Sequence, residues 1–221
     1  MTYPQVLDYF SRLEHLGIKF GLYNIRKLLR ATGICDEKFR IIHITGTNGK
    51  GSVAIFLSSI LREAGFRVGL YTSPHLVDFR ERIQVDGKYI SKREVAKLLS
   101  QFLFLTRTSW PEFSLKPTYF EVMTALALQY FTQANVEIVI LEVGMGGRLD
   151  ATNVFKNSLV SIITNVNHEH IEYLGRKISD ITREKAGIIK RNGVIITGVK
   201  QKRAFEVIEE VCRKKKARLF R

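Results

Sequence analysis

A glycine-rich turn directly behind a short apolar run constrains the fold of this chain more than any other segment. The run covers residues 41–44, and the turn reads Gly-Thr-Asn-Gly-Lys-Gly-Ser at residues 46–52. Glycines let a backbone approach a ligand closely and point N–H groups at it, and a helix N-terminus adds partial positive charge. A buried strand that ends in this turn and continues into a helix therefore predicts a phosphate-binding site.

Lys50 and Ser52 give the turn its chemical character. The lysine supplies a full positive charge, and the serine hydroxyl is placed to ligate Mg²⁺. The common P-loop reads G-x-x-x-x-G-K-[ST], whereas here an extra glycine separates the lysine from the serine. We predict that the turn binds a nucleoside triphosphate through Gly46, Thr47, Asn48, Gly49, Lys50, Gly51 and Ser52.

Length and composition exclude several classes of protein. A chain of 221 residues with 45% hydrophobic and 25% charged residues is an ordinary globular composition and can bury one sizeable core. No apolar run approaches the roughly 18 residues of a membrane span. Residues 1–10 lack the basic segment and apolar core of a secretory signal, and Cys35 and Cys212 match no metal or redox spacing. We therefore expect a cytoplasmic, monomeric protein without a membrane partner.

The formal net charge of +14 indicates anionic partners, and nucleic acid has to be considered. The basic residues are dispersed, apart from a cluster at residues 213–216. Glu206, Glu209 and Glu210 precede that cluster on one predicted helix, which is the order that the helix dipole favours. A solvated helix end explains the cluster better than a nucleic-acid patch does, and a basic surface suits an anionic small substrate equally well.

Helical and strand patterns alternate along the chain. Strand patterns occupy residues 41–45, 67–71, 136–141, 159–164 and 194–197. Helical patterns occupy residues 50–64, a stretch that ends near Gly187, and a last stretch from about Lys202. Capping boxes at residues 91–94 and 118–121 begin two further helices. This alternation predicts an α/β fold, a mostly parallel sheet with helices on both faces.

The connection at residues 71–89 is the longest stretch without a clear pattern. It contains Arg80, Arg82 and an Asp-Gly pair at residues 86–87. Long irregular connections usually lie on the surface and often carry function. We predict an exposed functional loop here.

Polar segments follow the predicted strands, at residues 72–75, 142–153 and 164–170. Ligands in open α/β sheets gather at the carboxyl ends of the strands, so these segments are candidates for the remaining chemistry. Glu142 is a predicted Mg²⁺ ligand, because a carboxylate at a strand end beside a phosphate loop is the usual position for one. The pair His168 and His170 can bind a transition metal, cap a helix or form local hydrogen bonds, and the residues alone leave these alternatives open.

Five segments together resemble the Mur ligase superfamily, and within it the folylpolyglutamate synthase and dihydrofolate synthase group. They read H-I-T-G-T-N-G-K-G-S at 43–52, T-S-P-H-L at 72–76, T-Y-F-E at 118–121, L-E-V-G-M-G-G-R-L-D-A-T-N at 141–153 and R-E-K-A-G-I at 183–188. The phosphate loop with the extra glycine is typical of the superfamily. The other segments, in this order and spacing, separate the folate enzymes from the cell-wall ligases.

The resemblance implies an ATP-dependent ligase that joins L-glutamate to a folate or to dihydropteroate. In that family ATP phosphorylates the substrate carboxylate, and the glutamate amine attacks the acyl phosphate and releases phosphate. Because a carboxylate is a poor electrophile, catalysis lies in this activation, in positioning and in neutralising phosphoryl charge. The implied cofactors are ATP and Mg²⁺. Whether the enzyme extends polyglutamate, makes dihydrofolate or does both stays open, and the pterin-contact segments favour both.

The resemblance also implies roles for individual residues. The catalytic residues it implies are Lys50, His170 and Lys185, and the magnesium ligands are Ser73, Glu142 and His170. On residue pattern alone Lys185 is an exposed helix lysine, but it falls on the lysine that the family carbamylates into an anionic oxygen ligand. The segments that contact the pterin in bifunctional members contribute Phe120, Leu149, Asp150 and Ala151.

Members of this family are considerably longer than 221 residues and carry a C-terminal α/β domain that helps to bind glutamate. Residues 1–221 are therefore expected to form an incomplete Mur-type ATP-binding domain without that glutamate-binding domain. We expect weak nucleotide binding and little ligase activity from this chain alone. Two alternatives are another Mur-type ligase acting on cell-wall precursors, and a P-loop NTPase that nucleic acid stimulates through the basic charge.

Overall fold

The computed structural model describes residues 1–15, 17, 19–34, 39–109 and 117–221, with only the backbone described at 107–109. Within these residues eight strands form one sheet, in the order β4-β3-β2-β5-β1-β6-β7-β8. The strands are β1 Arg40–Thr45, β2 Val68–Tyr71, β3 Ile83–Val85, β4 Lys88–Tyr89, β5 Ile138–Glu142, β6 Val160–Ile163, β7 Val194–Thr197 and β8 Arg218–Phe220. Near one edge, β3 pairs antiparallel with both β2 and β4, and the remaining pairs of this sheet are parallel. The prediction of a mostly parallel sheet is confirmed.

Helices lie on both faces of the sheet, as predicted. They are α1 Tyr3–Glu14, α2 Tyr23–Ala31, α3 Lys50–Glu63, α4 Lys92–Ser109, α5 Tyr119–Gln133, α6 Ile171–Leu174, α7 Ile178–Ala186 and α8 Lys202–Lys215. Alternate residues of β1 point to opposite faces, so Ile42 and Ile44 pack with Ala54 of α3. Ile41 points to the other face, into the core that α1, α2, α4 and α5 build. Ile195 of β7 packs on α7 and α8 in a further cluster.

The helix starts follow from local sequence chemistry. Gly49 precedes α3 with a φ of 79°, a left-handed conformation in which glycine carries no steric penalty. Thr118 caps α5, because its Oγ1 accepts a hydrogen bond from the backbone N–H of Glu121 at 3.2 Å. Ser91 caps α4 in the same way, with the N–H of Glu94 at 3.1 Å from its Oγ. Both predicted capping boxes therefore begin helices.

The prediction for residues 71–89 is wrong in part. A 3₁₀ helix at Phe79–Arg82 leads into β3 and β4, and the Asp-Gly pair between these strands forms their hairpin turn with φ values of 51° and 77°. Arg82 is buried, with 9% of its surface exposed. Leu76 and Val77, which precede the 3₁₀ helix, are 91% and 90% exposed, and residues 87–89 at the hairpin are also exposed.

Three smaller expectations also have an outcome. Strand β5 begins and ends later than predicted, so Glu142 is its final residue. Helix α8 carries the basic cluster behind its acidic residues, and Lys214 pairs with Glu210 one turn before it. Cys35 lies outside the described residues, and Cys212 is buried in α8. No helix in the described part of the chain combines the length and the apolar character that crossing a bilayer requires.

Candidate active site

The phosphate loop between β1 and α3 is held from both sides. Lys50 Nζ donates to the backbone carbonyls of Gly46 at 2.9 Å and Thr47 at 3.2 Å. The lysine side chain therefore folds back over the loop and places its ammonium group there. From the segment after β6, Thr164 Oγ1 donates to Asn48 O at 2.6 Å, and Asn165 Oδ1 accepts from Asn48 N at 2.9 Å. Residues 46–49 thus form a turn held by these hydrogen bonds, and Lys50, Gly51 and Ser52 begin α3 directly after it.

Gly46 shows why a glycine is required at the start of this turn. Its φ is 150°, and a Cβ placed on it would overlap Thr164 Oγ1. The loop backbone therefore passes closer to the neighbouring segment than a side chain allows.

Glu142 lies beside the phosphate loop, as predicted. It is 3% exposed, and its Oε2 accepts a hydrogen bond from Ser73 N at 3.2 Å. A Cβ on Gly51 would be only 3.5 Å from the same oxygen. Burial raises the pKa of Glu142, and the Ser73 N–H and the positive charges of Lys50 and Arg82 oppose that rise. The last residue of β5 and the segment that follows β2 thus bring Glu142 and Ser73 to the phosphate loop.

The donor set at this edge fits Mg²⁺ better than a transition metal. Magnesium usually takes one or two protein oxygens and completes its shell with water and substrate phosphates. Glu142 and Ser73 offer oxygens of that kind next to the phosphate loop. Among the described residues no three His, Cys, Asp or Glu side chains converge as a transition-metal cage would require.

The two histidines of the His-x-His pair have different surroundings. His170 precedes α6 with a φ of 44°, makes no side-chain capping bond and lines the same cavity as Lys50 and Ser73. His168 is exposed on the segment before it. The structure therefore brings His170 to the other predicted site residues and gives no support for helix capping by its side chain.

Lys185 is buried, which contradicts the reading of its pattern as an exposed helix lysine. It is 1% exposed on α7, and its amine forms an ion pair with Glu169. Burial lowers the pKa of Lys185, and the contact with Glu169 opposes that change. Glu169 lines the same cavity as His170, so the buried amine lies one side chain behind that cavity.

The residues predicted to contact the pterin line one cavity of about 650 Å³ together with the phosphate loop. These are Phe120, Leu149, Asp150 and Ala151, and Thr47 and Lys50 of the phosphate loop line the same cavity. The Asp150 carboxylate accepts from Gly144 N and Met145 N at 3.0 Å each, and from Thr152 N at 2.9 Å and Thr152 Oγ1 at 2.5 Å. Burial raises the pKa of Asp150, and these donors oppose the rise. Asp150 thus organises the cavity wall.

Arg82 and Tyr119 also line this cavity, and sequence reasoning missed both as site residues. Arg82 Nε donates to His75 Nδ1 at 2.9 Å, and its guanidinium carbon lies 5.3 Å from the centre of the Tyr119 ring. The Asp-Gly hairpin signal was available in the sequence. It places Arg82 directly before β3, and there the side chain is buried.

The chain also matches a known protein family. The family model of the Mur ligase middle domain matches residues 44–219. The chain belongs to the Mur ligase family. It is 43% identical over 197 residues to a dihydrofolate synthase/folylpolyglutamate synthase of Bacillus subtilis, a match that covers 87% of this chain and 45% of that protein. The resemblance to the folate group of Mur ligases is thereby confirmed.

Solved structures share this fold over nearly the whole of this chain and about half of their own length. An FPGS–AMPPCP complex matches with a TM-score of 0.93 at 34% identity, covering 100% of this chain and 54% of the other. A folylpolyglutamate synthase from Thermotoga maritima matches with a TM-score of 0.88 at 43% identity, covering 99% and 49%. Other related structures hold AMPPCP with folate, or Mn, AMPPNP and L-glutamate. The chain spans about half the length of these relatives.

Proposed function

We propose that this chain is the ATP-binding part of a ligase that joins L-glutamate to a folate or to dihydropteroate through an acyl phosphate. The observation that carries the proposal is the single cavity that joins Lys50 of the phosphate loop to Phe120 and Asp150. A phosphoryl donor and a carboxylate acceptor must meet in one water-excluding space for this reaction. Relatives named for these activities, and their structures with AMPPCP and folate, support it.

In this proposal the phosphate loop binds the triphosphate and Lys50 neutralises charge on it. Lys50 is already folded over the loop, so its ammonium needs to rotate only from the Gly46 and Thr47 carbonyls towards a phosphate oxygen. Ser73, Glu142 and His170 would hold Mg²⁺, which would stabilise the negative charge that develops on the transferred phosphoryl group. Phe120, Leu149, Asp150 and Ala151 would bind the pterin and so orient the carboxylate towards the ATP.

Lys185 would act as a carbamate. The neutral amine attacks the carbon of carbon dioxide, one C–O π bond breaks and leaves its electron pair on the oxygen, and the N–H proton passes to solvent. Burial favours this step because it lowers the pKa of Lys185 and so raises the fraction of neutral amine. Incubation of the purified chain with ¹³C-bicarbonate should then give a carbamate carbon signal in the ¹³C NMR spectrum, and Lys185→Met should lack that signal. A signal of equal intensity in both proteins would exclude this role.

Residues 1–221 would form the ATP-binding unit, and the glutamate-binding domain of such ligases would lie outside them. The proposal includes a monomeric, cytoplasmic enzyme. It also includes weak nucleotide binding and little glutamate ligation by these residues alone. Full ligase turnover by purified residues 1–221 would contradict this division of labour.

Calorimetric binding to the 221-residue chain tests the proposed function. AMPPNP should bind more tightly with Mg²⁺ than without it, and dihydropteroate or tetrahydrofolate should bind saturably. Lys50→Met should abolish the AMPPNP signal and Phe120→Ala the pterin signal, while Ile60→Ala, at a side chain 63% exposed on α3, should change neither.

Two outcomes would favour the alternatives. Binding of a carboxylate-bearing cell-wall precursor without binding of any pterin would favour another Mur-type ligase. Salt-sensitive binding of RNA or DNA, together with nucleotide hydrolysis that the nucleic acid stimulates, would favour a nucleic-acid-dependent NTPase.

A further inference from the structure

His43 is a buried polar side chain in the middle of β1 that none of the roles above uses. It is 1% exposed and lies on the strand that leads into the phosphate loop. Its Nε2 is 2.9 Å from Thr152 Oγ1, across the boundary between β1 and the segment after β5. Buried polar side chains are usually hydrogen-bonded, so a histidine with a purely structural role would make the same contact.

The direction of the hydrogen bonds follows from the chemistry of the three groups. Asp150 Oδ1 lies 2.5 Å from Thr152 Oγ1, and since a carboxylate only accepts, the threonine hydroxyl donates its hydrogen to Asp150. Thr152 Oγ1 must therefore accept from His43, whose hydrogen lies on Nε2. Burial, and then the positive charge of Lys190, lower the pKa of His43 to about 3, which keeps the ring neutral.

The far end of this chain of hydrogen bonds shapes the wall of the cavity. Asp150 Oδ2 accepts from the backbone N–H groups of Gly144 and Met145 at 3.0 Å each. A second side chain of β1 holds the same turn, because Thr45 Oγ1 donates to Gly146 O at 2.6 Å. Aligned hydrogen bonds in a buried chain strengthen one another, so loss of the first donor weakens the hold on Asp150.

We infer that His43 is a positioning residue for the pterin-binding wall, acting through Thr152 on Asp150 and on the turn that Asp150 holds. This inference rests on the proposed function, because it is Asp150 and its neighbours that meet the pterin there. His43 itself touches no substrate. None of these hydrogen bonds involves a residue of the phosphate loop, so we expect nucleotide binding not to depend on them.

Paired variants at both ends of the first hydrogen bond test the inference. His43→Leu removes the N–H donor, and Thr152→Val removes the hydroxyl that links it to Asp150. The conservative variants keep these groups: His43→Gln places an amide N–H near the Nε2 position, and Thr152→Ser retains the hydroxyl. We expect the Kd for dihydropteroate to rise about tenfold in the first two and to stay near wild type in the conservative pair. The double variant His43→Leu/Thr152→Val should be no worse than Thr152→Val alone, because the valine already removes the hydrogen bond that His43→Leu loses.

Two further readouts separate positioning from general damage to the fold. The Kd for AMPPNP with Mg²⁺ should change less than about twofold in all variants. Amide hydrogen exchange, which needs no ligand, should become about tenfold faster at Gly144 and Met145 in His43→Leu and stay unchanged at Ser73. If His43→Leu does not fold, Thr152→Val against Thr152→Ser provides the same comparison.

Several results would overturn the inference. Unchanged exchange at Gly144 and Met145, or equal weakening of AMPPNP and dihydropteroate binding, would leave His43 a structural residue. A strictly additive double variant would refute the relay through Thr152. Failure of the wild-type chain to bind dihydropteroate would instead refute the proposed function, and the pterin part of this inference with it.

Discussion

The contact between Phe120 and Gly144 gives the sharpest test of the pterin end of the cavity. A Cβ on Gly144 would lie 2.7 Å from Phe120 Cζ and 3.0 Å from Cε2, so the tip of the ring points directly at the glycine. Carbon atoms that are not bonded pack at about 3.5–4.0 Å, and Gly144→Ala therefore requires the ring to move by about 1 Å. Gly144 is not among the residues with positive φ, so alanine causes no backbone strain of its own.

The Phe120 ring can move into the cavity, which it lines. Tyr71, which is fully buried, packs against Phe120 with ring centres 5.8 Å apart, and the cavity lies on the open side. Displacement into the cavity takes space from the pterin. Overpacking of this kind typically costs about 1–3 kcal/mol, which corresponds to a rise in Kd of about fivefold to 150-fold.

Calorimetry with dihydropteroate measures this rise, and AMPPNP binding to the same sample is the internal control. Phe120→Leu removes the atom that clashes, so the double variant Gly144→Ala/Phe120→Leu should bind dihydropteroate about as tightly as Phe120→Leu alone. An affinity of Gly144→Ala equal to that of wild type would refute the argument. So would an equal loss of affinity from Gly144→Ala in the wild-type and Phe120→Leu backgrounds, because the loss would then not come from the displaced ring.

Three further predictions concern stability. Thr118→Ala should lower the free energy of unfolding by about 1 kcal/mol through loss of the α5 cap, and Thr118→Ser should preserve it, as urea denaturation will measure. Leu98→Ala, at a fully buried side chain, should cost about 2–5 kcal/mol, whereas Leu76→Ala, 91% exposed, should stay within about 0.5 kcal/mol. Tyr119→Phe should not destabilise the protein at pH 8, because the Tyr119 hydroxyl is buried without a partner in the described part of the chain. Burial raises the pKa of Tyr119 from 10.0 to about 12, so wild type should lose stability relative to Tyr119→Phe as the pH rises from 10 towards 12.

Sequence reasoning could find the phosphate loop and Glu142 because both depend on local order. A strand, a glycine turn and a helix follow one another within residues 41–52, and the end of a parallel strand fixes where Glu142 lies. The hairpin at Asp86 was equally local, but its strands β3 and β4 are too short to give an alternating pattern.

The burial of Lys185 could not be found in this way. Two charged residues, Arg183 and Glu184, precede it, and it is the packing of α7 against the segment after β6 that encloses its amine beside Glu169. The hydrogen bond between His43 and Thr152 joins residues 109 positions apart, so no local pattern reports it either. Both depend on tertiary contacts that a residue pattern does not contain.

The position of β5 in the sheet has a consequence for how the protein folds. Although α3 connects β1 directly to β2, these two strands do not pair, because β5 lies between them. Ile138 is in register with Arg40 on one side and with Val68 on the other. The central strands can therefore assemble only after residue 142 has left the ribosome, and such long-range pairing folds slowly. During synthesis, we expect nucleotide affinity to emerge abruptly with β5 rather than with the phosphate loop itself.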